Sequence, residues 1–311
     1  MKVVTHNGQF HADEVVACMM LRKLYYPLEI IRTRNPEEIE SADIVVDVGG
    51  IYDPKNNRFD HHQAGCKEFL SSEHNIPLSS AGMVYKEMGR DFIKCFHQFD
   101  DNEDLEAVYH SFYLSFIQEI DAIDNGVKQT DGWLEYRVCT SLSTVINRLN
   151  YHQIYNKEMQ MGHFTKGMDY AQDTASIILK SIYERRMQYK IDYQTIKEAF
   201  EERLDVDLSG QILVIKKDCS NWQKCLMDIE KEVGLSGDSE IIKFVIYRSS
   251  KEWRVRTISC NFVSRKNLLP KYELEKRITN PLEIEFVHNK LFIASATTFE
   301  TALEIAKESL Q

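Results

Sequence analysis

The sequence predicts an α/β chain of two domains: a parallel-sheet domain with a helical insert over residues 1–195, then a smaller α+β domain over 205–311. Three observations carry that reading. The first fifty residues alternate short apolar runs with helix-forming stretches, the rhythm of parallel strands joined by helical crossovers. The 311 residues exceed the usual size of a single hydrophobic core. After about residue 205, long helical patterning gives way to closely spaced β-branched runs.

Taken in order, Val3-Val4 reads as a buried strand ending at Thr5-His6-Asn7-Gly8. Residues 14–26 read as a helix with apolar side chains around much of its circumference, stopped by Pro27. A second strand spans 28–32, a short helix opens at Asn35-Pro36, and a third strand over 44–48 is cut off by Gly49-Gly50. Ligands of such sheets bind beyond the carboxyl ends of the strands. His6, Asp47 and the run Asp60-His61-His62 fall at or near such ends. From Ser79 to about Tyr193 the chain reads as mostly helical. Ser79-Ser80 would cap one helix, and Val108, Phe112, Phe116 and Ile120 would line another. The acidic stretch 100–104 reads as a solvated turn, and 169–200 as a charged helix connecting the domains. Strands are expected at 211–215, 241–247 and 253–258, with a helix over 226–233. Short strands at 286–288 and 291–293 and a final helix from Phe299 complete the second domain.

Composition narrows the classes. Hydrophobic residues make up 43% and charged residues 28%, so long disorder is not expected. A net charge of -10 argues against broad electrostatic holding of nucleic acid, although bound cations would supply positive charge locally. The seven cysteines are odd in number and scattered without a CxxC pair, which suits reduced thiols and gives no zinc-ribbon signal. No secretory or mitochondrial presequence is recognisable and no apolar run approaches the roughly 18 residues of a membrane span. A cytoplasmic or nuclear protein with no membrane partner is the expectation.

Acids and imidazoles carry the chemistry. Asp60-His61-His62 is a poor way to build a core, and neighbouring side chains on extended backbone point apart. One histidine can therefore face a metal and the next whatever that metal holds. His6, His11 and Asp13 share one loop, and Asp47 ends the third strand. Asp121 and Asp124, three apart, share a helix face. Of the two, Asp121 is favoured as a ligand, with Asp124 supporting it or replacing it. Oxygen and nitrogen donors without thiolate favour Mn²⁺ or Mg²⁺ over structural zinc. Two such ions roughly 3.5–4 Å apart would clamp a phosphoryl oxygen and acidify a water. Asp47 could bridge them, His61 could ligate, and His62 could contact phosphate or protonate the leaving oxygen.

Five stretches, Thr5–Glu14, Asp47–Pro54, Arg58–Gln63, Leu78–Tyr85 and Asp121–Gly126, resemble the melanocyte-proliferating-gene (Myg-type) family, a branch of the DHH phosphoesterase superfamily. The resemblance is dense to Val127, patchy beyond, and returns at 212–233 and in the last sixty residues. It implies a DHH-type domain with a dinuclear Mn²⁺ site and a mobile substrate-binding second domain. The implied activity is 3′-5′ exonuclease action on RNA or short oligonucleotides, although members have also been labelled metal-dependent protein hydrolases. By motif, His6, His11, Asp13, Asp47, His61 and Asp121 become metal ligands. Asp60 becomes a ligand or an orienting acid, and His62 a phosphate contact. Departures lie in 132–155 and at Ala294-Ser295, where the family tends to carry Gly-Gly; neither touches the metal residues.

In the second domain, residues 248–277 hold nine Lys/Arg against three Glu. Arg254, Arg256, Arg265 and Lys266 could reach a phosphodiester backbone, with Trp253 and Phe262 available for base stacking. The resemblance would put His288 in a cleft between the domains. The leading expectation is a metal-dependent phosphodiesterase, with a small-molecule phosphatase or pyrophosphatase as one alternative. A metal-binding regulatory protein with little turnover is the other. A dimer is possible on sequence grounds alone.

Overall fold

The computed structural model describes residues 1–150, 157–235, 237, 241–260 and 263–311. The chain divides into two units, Met1–Arg186 and Met187–Gln311. In chain order the first unit opens with β1 (Lys2–Thr5), α1 (Ala12–Leu24), β2 (Glu29–Arg32), α2 (Pro36–Glu40), β3 (Ile44–Val46), β4 (Tyr52–Asp53) and β5 (Arg58–Phe59). The sheet order is β2-β1-β3-β5-β4. All neighbours pair in parallel except β4 with β5. Strand β5 is two residues long, too short for any periodicity to show in the sequence. It matters all the same, because its parallel pairing beside β3 brings Asp60-His61-His62 to the same end of the sheet as Asp47.

Helix α1 is buried throughout Ala12–Leu21, as a helix with apolar residues on most sides should be. It packs on α3 (Ser80–Lys94), in a core shared with α4 (Asn102–Phe112) and α5 (Gln118–Asp124). A π-helical turn, Tyr113–Ile117, joins the last two. Its reason is legible in the spacing. Val108, Phe112, Phe116 and Ile120 are all buried but stand four apart, whereas an α-helix repeats every 3.6 residues. One wider turn keeps all four on the core side. Helix α6 (Leu142–Arg148) and the long α7 (Lys157–Glu201) follow.

The second unit begins at Met187 and takes in the last part of α7, of which the sequence reading places residues up to 195 in the first domain. Ile196, Ala199 and Phe200 pack into one core with Leu213, Ile215, Trp222 and Leu226. The remaining elements are α8 (Arg203–Val206), β6 (Ile212–Ile215), α9 (Trp222–Glu232), β7 (Phe244–Ser249), β8 (Glu252–Thr257) and the ribbon β9 (Ser259–Cys260) with β10 (Val263–Ser264). They end in α10 (Lys271–Arg277), β11 (Ile284–Val287), β12 (Ile293–Ala296) and α11 (Phe299–Leu310). The sheet order is β11-β12-β8-β7-β6, with only β6 and β7 parallel. Alternate residues of its strands enter two different cores, so both faces are covered. Phe262 lies outside the described residues. Among the described residues no helix is long and apolar enough to cross a membrane.

Candidate metal centre

The carboxyl ends of β1, β3 and β5 deliver the reactive residues to one place. His6 follows β1, Asp47 follows β3, and Asp60, His61 and His62 follow β5. His11 caps α1, whose first turn carries Asp13 and Glu14. Asp124 ends α5. Asp47 has φ +56°, a left-handed conformation that costs a non-glycine residue on the order of 1 kcal/mol or more. Its amide still donates to the Phe59 carbonyl at 3.0 Å. The strand ladder therefore holds Asp47 as the backbone swings its carboxylate into the site.

Each oxygen of Asp47 faces a different imidazole. Oδ2 lies 3.2 Å from His6 Nε2. Oδ1 lies 3.6 Å from His61 Nε2 and 3.4 Å from His62 Nδ1, and accepts from the Ser80 hydroxyl at 3.1 Å. His6 Nδ1 is 3.0 Å from the Asn7 carbonyl, which turns Nε2 toward the acids. His61 Nε2 is 3.0 Å from Asp124 Oδ2. The donor atoms fall into three groups, each within 4.8 Å: His6, His11, Glu14 and Asp47; Asp47, His61 and His62; His11, Asp13 and Asp124. These groups overlap at Asp47 and His11, and their members His6, His11, Asp47 and His62 line a cavity of roughly 510 Å³, whose wall includes Gln9, Arg34 and Gly50.

The electrostatics of this pocket call for cations. Asp13 is fully buried, and neither of its oxygens meets a hydrogen-bond donor among the described residues. Leaving a buried carboxylate so placed costs several kcal/mol. Burial, then the charges of Asp47, Glu14 and Asp124, push its pKa well above the ordinary range. Burial alone would lower His6, but Asp47 and Glu14 outweigh it and hold the ring at about 10. His61 is likewise lowered by burial and raised more by Asp124 and Asp47, again to about 10. The acids of the pocket thus draw positive charge to both rings. A divalent ion would supply that charge to the same nitrogens and oxygens, so the residues present fit such an ion.

Several expected residues have other tasks. Asp121 does not join any of the three groups. Its Oδ1 accepts from Ser79 N–H, Ser79 Oγ and Gly82 N–H at 3.0, 2.7 and 3.0 Å, anchoring the start of α3. Asp124, expected to support or replace it, stands beside His61 instead. The spacing shows that the two share a helix, not which one reaches the pocket. Asp60 accepts from Gly50 N–H at 2.6 Å and His62 N–H at 3.1 Å, and its Oδ1 is 2.8 Å from His62 Nδ1. It orients His62, whose side chain is 64% exposed. Glu14 was missed. It is fully buried, accepts from His11 N–H at 2.9 and 3.0 Å, and lies 3.0 Å from His6 Nε2. A histidine three residues before a glutamate at a helix start, a capping-box spacing, is the signal that could have found it.

In the second unit the basic residues divide. Arg265 differs from the expectation of a substrate contact: its guanidinium makes two 2.8 Å bonds to Glu230 and donates to the Ile242 carbonyl at 3.0 Å. Lys266 Nζ donates to the Leu310 carbonyl at 3.0 Å, closing the end of α11. Arg254 bonds the half-buried Glu252, and Arg256 lies 5.8 Å over the Trp222 ring. They share the sheet face opposite to Val255. Trp253 packs edge-on to Phe299 at 5.0 Å. His288 Nδ1 accepts from Lys290 N–H at 3.0 Å, its ring 4.4 Å from that of Phe292.

Fold and pocket together define an α/β protein with a carboxylate–imidazole centre fit for divalent metal at its strand ends. Comparison with known proteins places it further. The family model MYG1_exonuc, described as Uncharacterised protein family (UPF0160), matches residues 2–310. The chain belongs to this family. It is 34% identical to the protein named MYG1 exonuclease of Mus musculus, over 99% of this chain and 84% of that protein. It is also 34% identical to the MYG1 protein of Dictyostelium discoideum, over 100% of this chain and 96% of that one. Among solved structures, RecJ of Thermus thermophilus in complex with Mn2+ aligns at TM-score 0.28 and 13% identity. That alignment covers 99% of this chain and 52% of RecJ, so the chain spans about half of RecJ's length.

Proposed function

We propose that this protein is a metal-dependent phosphodiesterase that removes nucleotides from the 3′ end of RNA or short oligonucleotides. The observation that carries the reading is Asp13, buried without a donor beneath a pocket of imidazoles and carboxylates. Membership of a family with mammalian members named exonucleases supports the class of reaction. His6, His11 and Asp47 would hold one Mn²⁺ or Mg²⁺ ion, and Asp13, Asp47, His61 and Asp124 a second. Asp47 would serve both, because its two oxygens face different imidazoles. Bound ions of this kind polarise a phosphoryl oxygen and acidify a water.

The chain's own groups do the rest. When His62 is an imidazolium, Asp60 accepts from its Nδ1–H and its Nε2–H is left to give a proton to the departing oxygen. Ser80 and the β3–β5 ladder keep Asp47 from rotating away. Glu14 holds the His11 backbone and stands at His6 Nε2, so both histidines are positioned by one acid. Arg254, Arg256 and His288 are the candidates for a substrate contact in the second unit. Arg265 and Lys266 are bound within it and are left out.

The test is turnover with Mn²⁺ of a 5′-labelled RNA, of pyrophosphate and of a peptide, by the wild type, His61→Ala and Asp47→Asn. Laddering from the 3′ end that is lost in both variants is the expected result. Hydrolysis of the peptide or pyrophosphate alone would overturn the reading.

A further inference from the structure

The rim of the metal cavity contains a cation that the acidic cluster does not neutralise. Arg34 lines that cavity, is exposed, and meets no carboxylate among the described residues. A second cavity of roughly 470 Å³ is lined by Gln9, Asn147, Arg148 and Asn150. The two cavities share Gln9 as a common wall. Arg148, at the end of α6, is likewise exposed and meets no carboxylate among the described residues. Acids outnumber bases 48 to 38 in this chain, yet neither arginine has a carboxylate partner among the described residues.

The wall between the cavities is braced. Gln9 Nε2 donates to Asn147 Oδ1 at 3.0 Å. Asn150 clamps Phe10, accepting its N–H at 3.0 Å and donating to its carbonyl at 2.6 Å. Gln9 and Phe10 stand between His6 and His11, so this brace also holds the loop that carries two metal-facing imidazoles.

We infer that the cavity at Gln9, Asn147 and Arg148 is a second nucleotide subsite, in which Arg148 binds the phosphate next to the one at the metal centre. This rests on the phosphodiesterase reading and adds a length preference to it. Guanidinium is suited to the task because its planar donors match two phosphate oxygens at once and stay charged at any working pH. Arg34, on the metal cavity, offers the same chemistry to the terminal nucleotide. The first unit thus has a basic path through a charge distribution that would otherwise repel a polyanion. Substrates with two or more diesters engage both arginines, whereas a single diester engages only the first cavity.

The experiment compares kcat/KM for a 5′-phosphorylated RNA trinucleotide and for bis(p-nitrophenyl) phosphate, both with Mn²⁺, in wild type, Arg148→Ala and Arg148→Lys. The trinucleotide-to-small-diester ratio is expected to fall about tenfold in Arg148→Ala, through KM, as one charge-assisted bond is lost. Arg148→Lys should recover part of it. Anisotropy titration of a labelled phosphorothioate trinucleotide gives a readout independent of turnover. Its log-affinity slope against log salt should drop by roughly 0.7 in Arg148→Ala, one phosphate contact on a single strand. An unchanged ratio and slope would overturn the subsite while leaving the phosphodiesterase intact. Absence of any diester hydrolysis would instead strike the earlier reading.

Discussion

At Asp47 one side chain meets two requirements. Its backbone adopts a left-handed conformation that favours glycine, and its two oxygens are divided between His6 and the His61–His62 pair. The division is what a residue shared between two cations needs, and it makes the ligand set testable atom by atom. Asp124→Asn should weaken Mn²⁺ binding at least about tenfold in calorimetric titration, because it removes a carboxylate facing His61. Asp121→Asn should keep that affinity; if it loses the metal while Asp124→Asn does not, the assignment is reversed. Arg265 gives the converse case in the second unit. Its side chain is 14% exposed and that of Glu230 only 4%, so removing one partner strands a buried charge. Arg265→Ala should therefore cost about 3 kcal/mol in urea unfolding. A variant of wild-type stability with weakened RNA binding would return Arg265 to the substrate face.

Helix α3 shows how an element depends on a residue from a distant turn. Asp121 sits against the helix start so closely that any Cβ at Gly82 would lie inside its contact distance. The anion is well placed for the helix dipole and the free N–H groups. Burial nevertheless dominates and lifts Asp121 from 3.8 to about 7, against the bonds from Ser79 and Gly82 that favour the charged form. Since the folded pKa lies above that of the open chain, the folded state binds the proton more tightly. The stabilisation is full below about pH 4 and is lost as the pH rises through 7. In metal-free protein, the stability of wild type relative to Asp121→Asn should therefore fall by on the order of 4 kcal/mol between pH 4 and 8. Denaturant curves at several pH values read this directly, and a difference that stays flat with pH would refute it. The strand β5 is the other element that matters beyond its size. Without its pairing to β3, the Asp60-His61-His62 run has no reason to meet Asp47.

For the whole molecule, the two units have separate cores, and every residue of the metal cavity lies in the first. A ligand that binds the folded form stabilises only the cooperative unit that holds it. At a hundredfold excess over its dissociation constant, Mn²⁺ adds about 2.7 kcal/mol. Calorimetry should resolve two transitions, of which the metal raises one. A single transition, or equal movement of both, would show that the units unfold together.

Much of this was legible from residue order alone. Short apolar runs and the turns between them identify β1, β2, β3, β6 and β7, because strand and helix periods differ. Acids and histidines placed after such runs locate the pocket, since buried charge at strand ends has few structural uses. What residue order cannot express is direction. It puts Asp121 and Asp124 on one helix face and favours Asp121, does not show Glu14 turned inward, and counts Arg265 among the cations open to substrate. Those outcomes depend on which atoms the packed core brings within hydrogen-bonding distance. Local chemistry chose the residue types, and only the tertiary structure decided which of them gather at the strand ends and which hold the fold together.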